Sequence, residues 1–260
     1  MCTTCGCDHP DDVIITKVGD GALYRAATPE LTLAPPVKKE TRKIDLEQNI
    51  LDKNNLLAGH NRYHFDAANI LAINLVSSPG SGKTSLLERT LADNKALLRT
   101  YVIEGDQQTL NDANRIAATG VEVVQINTGK GCHLDAHMVH EAVHQLKPED
   151  NAIIFIENVG NLVCPAMFDL GEHERVVIIS VTEGEDKPLK YPDMFASATL
   201  CLINKIDLLP YVNFSVEQTK AYARRVNPRL TFLEISAVRG TGMEAWYAWL
   251  QNKHHATIDA

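Results

Sequence analysis

Nothing in the 260-residue chain suits it to crossing a bilayer or gripping a nucleic acid. No apolar run approaches the roughly 18 residues that a membrane-spanning helix needs. No basic segment leads into a short apolar core at the N-terminus, as a secretory leader would require. Lysine and arginine are in deficit, 25 against 33 acidic residues for a net charge of −8. Nucleic-acid surfaces need clustered basic residues, so that partner is not expected. No unit repeats at a fixed period, and no long histidine-rich tract is present. Hydrophobic content of 45% and charged content of 22% describe an ordinary globular protein. The expected location is the cytoplasm. There the six cysteines read as metal ligands or buried thiols rather than disulfides.

Against these absences, one stretch is dense in meaning. Ile70, Leu71, Ile73, Leu75 and Val76 form an apolar run of strand character. It empties into Ser77-Ser78-Pro79-Gly80-Ser81-Gly82-Lys83-Thr84 and then a helix-like Leu86-Leu87 pattern. Strand, glycine loop and helix start with Lys-Thr are the P-loop order. Backbone N–H groups and the positive helix end there meet phosphates. The expected phosphate site is Pro79, Gly80, Ser81, Gly82, Lys83, Thr84 and Ser85. Lys83 is expected to reach the β and γ oxygens, with the Thr84 hydroxyl on Mg2+. Ser77 stands where the pattern usually has its first glycine.

Along the chain, MCTTCGC places Cys2, Cys5 and Cys7 within six positions among almost no apolar residues. That spacing suits a short loop around Ni(II), Zn(II) or Cu(I), with a redox pair of Cys2 and Cys5 as the alternative. Residues 8–43 read as a linker, with a short strand at Val13–Ile15. Residues 44–66 read as an amphipathic helix packing on the following domain. On it His60 and His64 lie four apart, a spacing that suits either a metal or a solvated face. Residues 67–260 form the main domain.

Strands are expected at 100–104, 121–127, 152–156, 176–181, 199–204 and 230–235. Helices are expected at 107–119, 134–146, 216–226 and 243–252. Continuous apolar strands alternating with helices predict an α/β fold. Its sheet is doubly wound and mainly parallel, covered by helices on both faces, with a flexible N-terminal metal-binding arm.

Asn204-Lys205-Ile206-Asp207 directly follows the strand TLCLIN. An Asp207 carboxylate accepts from guanine N1–H and the 2-amino group. Adenine lacks both donors and would leave the carboxylate unpaired, so the nucleotide is GTP or GDP. Ser236-Ala237 closes a later strand and supplies a second base-contacting loop. Magnesium needs further oxygen ligands, and Asp106 and Glu157 stand at strand ends to provide them. Gly160 is placed to offer its N–H to the γ-phosphate. Asn161 follows it, where Ras-like enzymes carry the glutamine that orients water, so slow hydrolysis is expected.

Cys132-His133 and Cys164 occupy loops leaving carboxyl ends of strands, where a doubly wound sheet places its crevice. Two thiolates and an imidazole make an incomplete nickel or zinc set. His137, His140 and His144 continue from His133 along one helix face. They either extend that site or simply face solvent.

Together these segments resemble the HypB family of GTPases, which assist nickel insertion into NiFe-hydrogenases. The carrying segments are MCTTCGC, NLVSSPGSGKT, VIEGDQQT, NTGKGCHLDA, FIENVGNLVCPAMFDLGE, VTEGEDKPLKYP and NKIDLLPY. The resemblance implies a SIMIBI-class G domain, a GTP-dependent homodimer and two metal sites. By the same resemblance, Cys2, Cys5 and Cys7 form a tight nickel site, and Cys132, His133 and Cys164 form a nickel/zinc site near the dimer contact. Implied partners are a HypA-like chaperone, SlyD and the hydrogenase large subunit. Lys187 and Lys190 resemble positions near the nucleotide and the dimer face. Leu208, Leu209, Tyr211 and Val212 suggest an apolar dimer patch. Two other readings share this chemistry: a nickel store with a secondary nucleotide site, and a UreG-like GTPase serving urease.

Overall fold

Seven parallel strands form the central layer, and what they bury alternates residue by residue. The computed structural model describes residues 14–17, 23–25, 39–95, 97–107 and 110–259. Cys2, Cys5 and Cys7 lie outside the described residues. The elements run β1 (Ile14–Lys17), β2 (Leu23–Arg25), α1 (Lys39–Ala67), β3 (Leu71–Ser77), α2 (Lys83–Asn94), β4 (Thr100–Asp106), α3 (Asn111–Ala117) and β5 (Glu122–Asn127). They continue with α4 (Ala136–Leu146), β6 (Ile153–Glu157), α5 (Cys164–Met167), β7 (Glu174–Ser180), α6 (Lys187–Lys190) and α7 (Pro192–Ser197). The chain ends with β8 (Leu200–Asn204), a 3-10 segment (Ile206–Tyr211), α8 (Val216–Val226), β9 (Thr231–Glu234) and α9 (Met243–Ile258).

The strands form a nine-stranded sheet in the order β2-β1-β5-β4-β6-β3-β7-β8-β9. From β5 across to β9 every ladder is parallel, whereas β1 and β2 add antiparallel pairs at the β5 edge. This is the expected doubly wound α/β architecture. The chain crosses from one side of β3 to the other between β6 and β7, which puts the loops after β3 and β6 beside one crevice.

Leu71, Ile73 and Leu75 pack with Leu86, Leu87, Leu91 and Trp246 on one face. Ala72, Ile154 and Ile156 pack with Phe65, Val139 and Leu146 on the other. Successive strand side chains point to opposite faces, so an apolar strand buried on both sides needs two helical layers.

The structure differs from the sequence reading near the N-terminus. The strand expected at Val13–Ile15 is Ile14–Lys17, and it pairs with β5 rather than lying in a free linker. Helix α1 starts at Lys39, ahead of the expected residue 44. Its inward stripe is mixed rather than wholly apolar: Ala58 and Phe65 are buried, but so are Asn54 and Asn61, while Ile50 is 43% exposed. Both asparagines answer backbone groups. Asn54 Nδ2 donates to Asp169 O at 2.8 Å, and its Oδ1 accepts from Ala136 N at 2.9 Å. Asn61 Nδ2 donates to Ala136 O at 2.9 Å and to Leu170 O at 3.0 Å. Hydrogen bonding therefore seats the helix where burial of unpaired polar groups would have opposed it.

Candidate nucleotide and metal sites

Strand β3 ends at Ser77, and the chain turns through Gly80 (φ 76°) and Gly82 (φ 91°) into α2. Ser77 has no positive φ, so its backbone does not demand the glycine usual at that place. A Cβ on Gly82 would lie 2.6 Å from Asn204 Nδ2. That amide donates to Ser81 O at 2.9 Å, and Lys205 Nζ donates to Gly80 O at 2.7 Å. Asn204 Oδ1 accepts from the backbone of Lys205 and Ala237. Asp207 Oδ1 accepts from Ser236 Oγ at 2.6 Å. The two elements expected to read the base are thus bound to each other and to the phosphate loop.

On the opposite side of the loop, Thr84 Oγ1 donates to Glu157 Oε1 at 2.7 Å, and Lys83 Nζ lies 3.2 Å from the same oxygen. Glu157 is buried, and its Oε2 has no hydrogen-bond partner. Asp106 sits half-exposed at the end of β4, its Oδ1 accepting from Gln107 N at 2.7 Å. Gly160 packs on the loop so closely that a Cβ would be 3.2 Å from Pro79 Cα.

Three participants escaped the sequence reading or were left open by it. Glu104 stands in register with Glu157 on the neighbouring strand. Burial, then the Glu157 and Asp106 charges, push its carboxyl up to about 9. Its one legible signal was its place in Glu104-Gly105-Asp106. Glu183 Oε1 accepts from Ser81 Oγ at 2.7 Å. Lys187 Nζ donates to Ser78 Oγ at 3.0 Å and pairs with Glu183 at 3.1 Å. Lys187 therefore lies against the phosphate loop, while Lys190 pairs outside with Asp186.

The second cluster lies beyond Gly160. Cys132 Sγ and Cys164 Sγ are 2.8 Å apart, Cys132 Sγ lies 3.8 Å from His133 Nδ1, and the three ligand atoms fall within 4.8 Å of one another. Burial holds His133 below the ordinary histidine range, which favours the neutral, metal-ligating form. Its ring stacks on Phe168 at 3.9 Å. Two soft thiolates and an imidazole suit nickel or zinc. His137, His140 and His144 are not members of this group.

The apolar residues expected to form a patch after Asn204 stay partly accessible, none of them fully buried. Leu208, Leu209 and Val212 pack against the core beside β8, and Tyr211 alone of the four is exposed. A 3-10 turn folds those residues back onto the sheet. Exposed apolar side chains also flank Cys164, at Val163 and Met167.

A doubly wound sheet with a glycine loop between β3 and α2 defines a P-loop nucleotide-binding protein. Residues 71–234 match the nucleotide-binding domain described as CobW/HypB/UreG. The chain is 61% identical to the hydrogenase maturation factor HypB of Rhizobium leguminosarum bv. viciae, over 83% of this chain and 72% of that protein. It is 58% identical to HypB of Escherichia coli (strain K12), over 85% and 76%. The crystal structure of HypB from Helicobacter pylori in complex with nickel aligns with a TM-score of 0.74 and 38% identity, covering 78% of this chain and 96% of that one. The chain belongs to the HypB family.

Proposed function

We propose that this protein is a GTP-hydrolysing metallochaperone that binds nickel and assists its insertion into the large subunit of a NiFe-hydrogenase. One observation carries the reading. The loop after β6 presses Gly160 against Pro79 of the phosphate loop and, four residues later, presents Cys164 to Cys132. A γ-phosphate that moves Gly160 therefore moves a thiolate, so nucleotide state and metal affinity are coupled.

In this reading Asp207, held by Ser236, selects guanine, and Asn204, Lys205 and Ala237 frame the base. Pro79 to Ser85 cradle the phosphates. Lys83 leaves Glu157 to reach the β and γ oxygens, and Gly160 offers its N–H to the γ-phosphate. Mg2+ fits beside Thr84, Asp106 and Glu157, because Glu157 keeps a buried, unpartnered oxygen there. The ion would offset charge on the phosphate oxygens. Hydrolysis is slow because Asn161 is otherwise engaged. Its Nδ2 donates to Cys132 O at 3.4 Å, and its Oδ1 accepts from Val163 N at 2.9 Å.

Cys132, His133 and Cys164 take Ni2+ or Zn2+ as cargo, with water or a second subunit completing the set. Cys2, Cys5 and Cys7 form a second nickel site. A GTP-dependent homodimer, formed across the exposed Val163 and Met167, joins the metal loops of two copies. A HypA-like chaperone, SlyD and the hydrogenase large subunit are the partners, in the cytoplasm. The likeness to hydrogenase maturation factors supports the client, and the nickel-bound relative supports the cargo. Ni2+ affinity measured on the full chain should differ between GDP and a non-hydrolysable GTP analogue by at least about fivefold, the low end of allosteric coupling. Equal affinities would remove the coupling.

A further inference from the structure

An open groove of about 500 Å3 runs between α1 and α4, lined by His60, His64, His140 and His144 together with Tyr63 and Val143. None of these histidines belongs to the Cys132, His133 and Cys164 cluster. We propose that the groove is a separate, imidazole-only site for a divalent transition-metal ion, with His140 and His144 as its paired ligands and His60 and His64 facing them.

The positions follow from helix periodicity. His140 and His144 are one turn apart on α4, and His60 and His64 are one turn apart on α1, so each pair shares a helix face. The Nε2 atoms of His140 and His144 lie 3.0 Å apart, with the rings edge to face at 4.4 Å. Two nitrogens each about 2.1 Å from one ion, at a right angle, are separated by about the same distance. The pair thus stands near the spacing that two cis ligands adopt.

The tautomer of His140 is set by its neighbour. Asn61 is buried, and its amide nitrogen already donates to Ala136 O and Leu170 O. Its Oδ1 can therefore only accept, and it lies 3.1 Å from His140 Nδ1. His140 must hold its proton on Nδ1, which leaves the Nε2 lone pair directed at His144. Metal-ligating imidazoles are characteristically anchored in this way, through the second ring nitrogen to a fixed acceptor. His60, His64 and His144 are exposed, so an ion has open access. Imidazole donors without thiolate suit Ni2+, Zn2+ or Cu2+.

The test uses the full chain with Cys2, Cys5, Cys7, Cys132 and Cys164 replaced by serine, so that loop thiolates cannot contribute. Titration with Ni2+ is expected to show one bound ion per chain and no sulfur-to-nickel charge-transfer absorption. His140→Gln with His144→Gln should weaken that binding by about tenfold or more, while circular dichroism stays unchanged. His60→Gln with His64→Gln should weaken it in the same direction. If the His140 and His144 variant fails to fold, ring-nitrogen NMR of the parent replaces it. One equivalent of Zn2+ should then shift both Nε2 resonances together. No bound ion, equal affinity in the folded double variant, or unshifted ring nitrogens would reduce the pair to a histidine–histidine hydrogen bond and overturn the proposal.

Discussion

Gly82 and Asn204 occupy one space: the Asn204 amide nitrogen stands where a side chain on Gly82 would begin, 2.6 Å from its ideal Cβ position. They are 122 positions apart in number, yet the first residue of the base-reading element is keyed to the glycine that opens the phosphate loop into α2. Gly82 also takes φ 91°, which L side chains avoid.

Replacing Gly82 by alanine therefore meets two obstacles at once. The variant should lose about 1–3 kcal/mol of stability from backbone strain. It should also bind both GTP and GDP at least about tenfold more weakly, a loss of roughly 1.4 kcal/mol. Titration with a fluorescent guanine nucleotide reads this directly, and unaltered affinity would break the link between the two elements.

Asp207→Asn should exchange the preferred base. The carboxylate would become an amide that donates where guanine also donates, while xanthine presents a carbonyl there. Two charge-assisted hydrogen bonds are lost, so guanine affinity should fall on the order of 100-fold or more. Competition between GTP and XTP measures the switch. Retained preference for GTP would mean that Asp207 does not face the base.

Glu157→Gln should separate binding from hydrolysis. It removes the carboxylate that holds Lys83 and Thr84, so nucleotide should bind at least as well. The hydrolysis rate should drop about 100-fold, as when one preorganised electrostatic group is lost. The unmodified protein should itself turn over below about 1 s⁻¹, under the ordinary enzyme range. Single-turnover assays with radiolabelled GTP test both, and a fast parent or a fully active variant would contradict the assignment.

Stability of the nucleotide-free chain should depend on Glu104. Its carboxyl is raised from 4.5 to about 9, first by burial and then by Glu157 and Asp106. Between those values the folded chain keeps a proton that the unfolded chain releases. The contribution of Glu104 to stability is thus complete below about pH 4.5 and is lost as pH rises through about 9. Urea unfolding from pH 5 to 9 should show that loss. Glu104→Gln, neutral throughout, should flatten it and be more stable than the parent at pH 9. Identical pH dependence in the two proteins would show that Glu104 is ionised when folded.

Several groups at the site were legible from the chain because their chemistry is local. Lys83 and Thr84 follow a glycine loop that only a strand and a helix can flank, and Asn204 to Asp207 sit at the end of an apolar strand. Cys132, His133 and Cys164 could be grouped from the rule that such loops meet at one end of a parallel sheet. Glu183 and Lys187 were not legible as a pair at the phosphate loop. Their roles rest on reaching Ser81 and Ser78 about 100 residues away, and nothing in VTEGEDKPLKYP encodes that distance.

By itself, the order of residues determined the parallel strands, the phosphate loop and the base-reading element, since period, loop composition and motif chemistry act over a few neighbouring positions. Tertiary structure decided what those parts share. It placed Asn54 and Asn61 on the buried face of α1 beside Ala58 and Phe65, since both asparagines meet backbone groups there. It packed one side of Leu208 and Leu209 against the core and left Val163 and Met167 exposed beside Cys164. It also brought His140 against His144 and Asn61. The physical reason is the same each time: hydrogen bonding and burial are settled between distant segments, and no local pattern records which partner a side chain will meet.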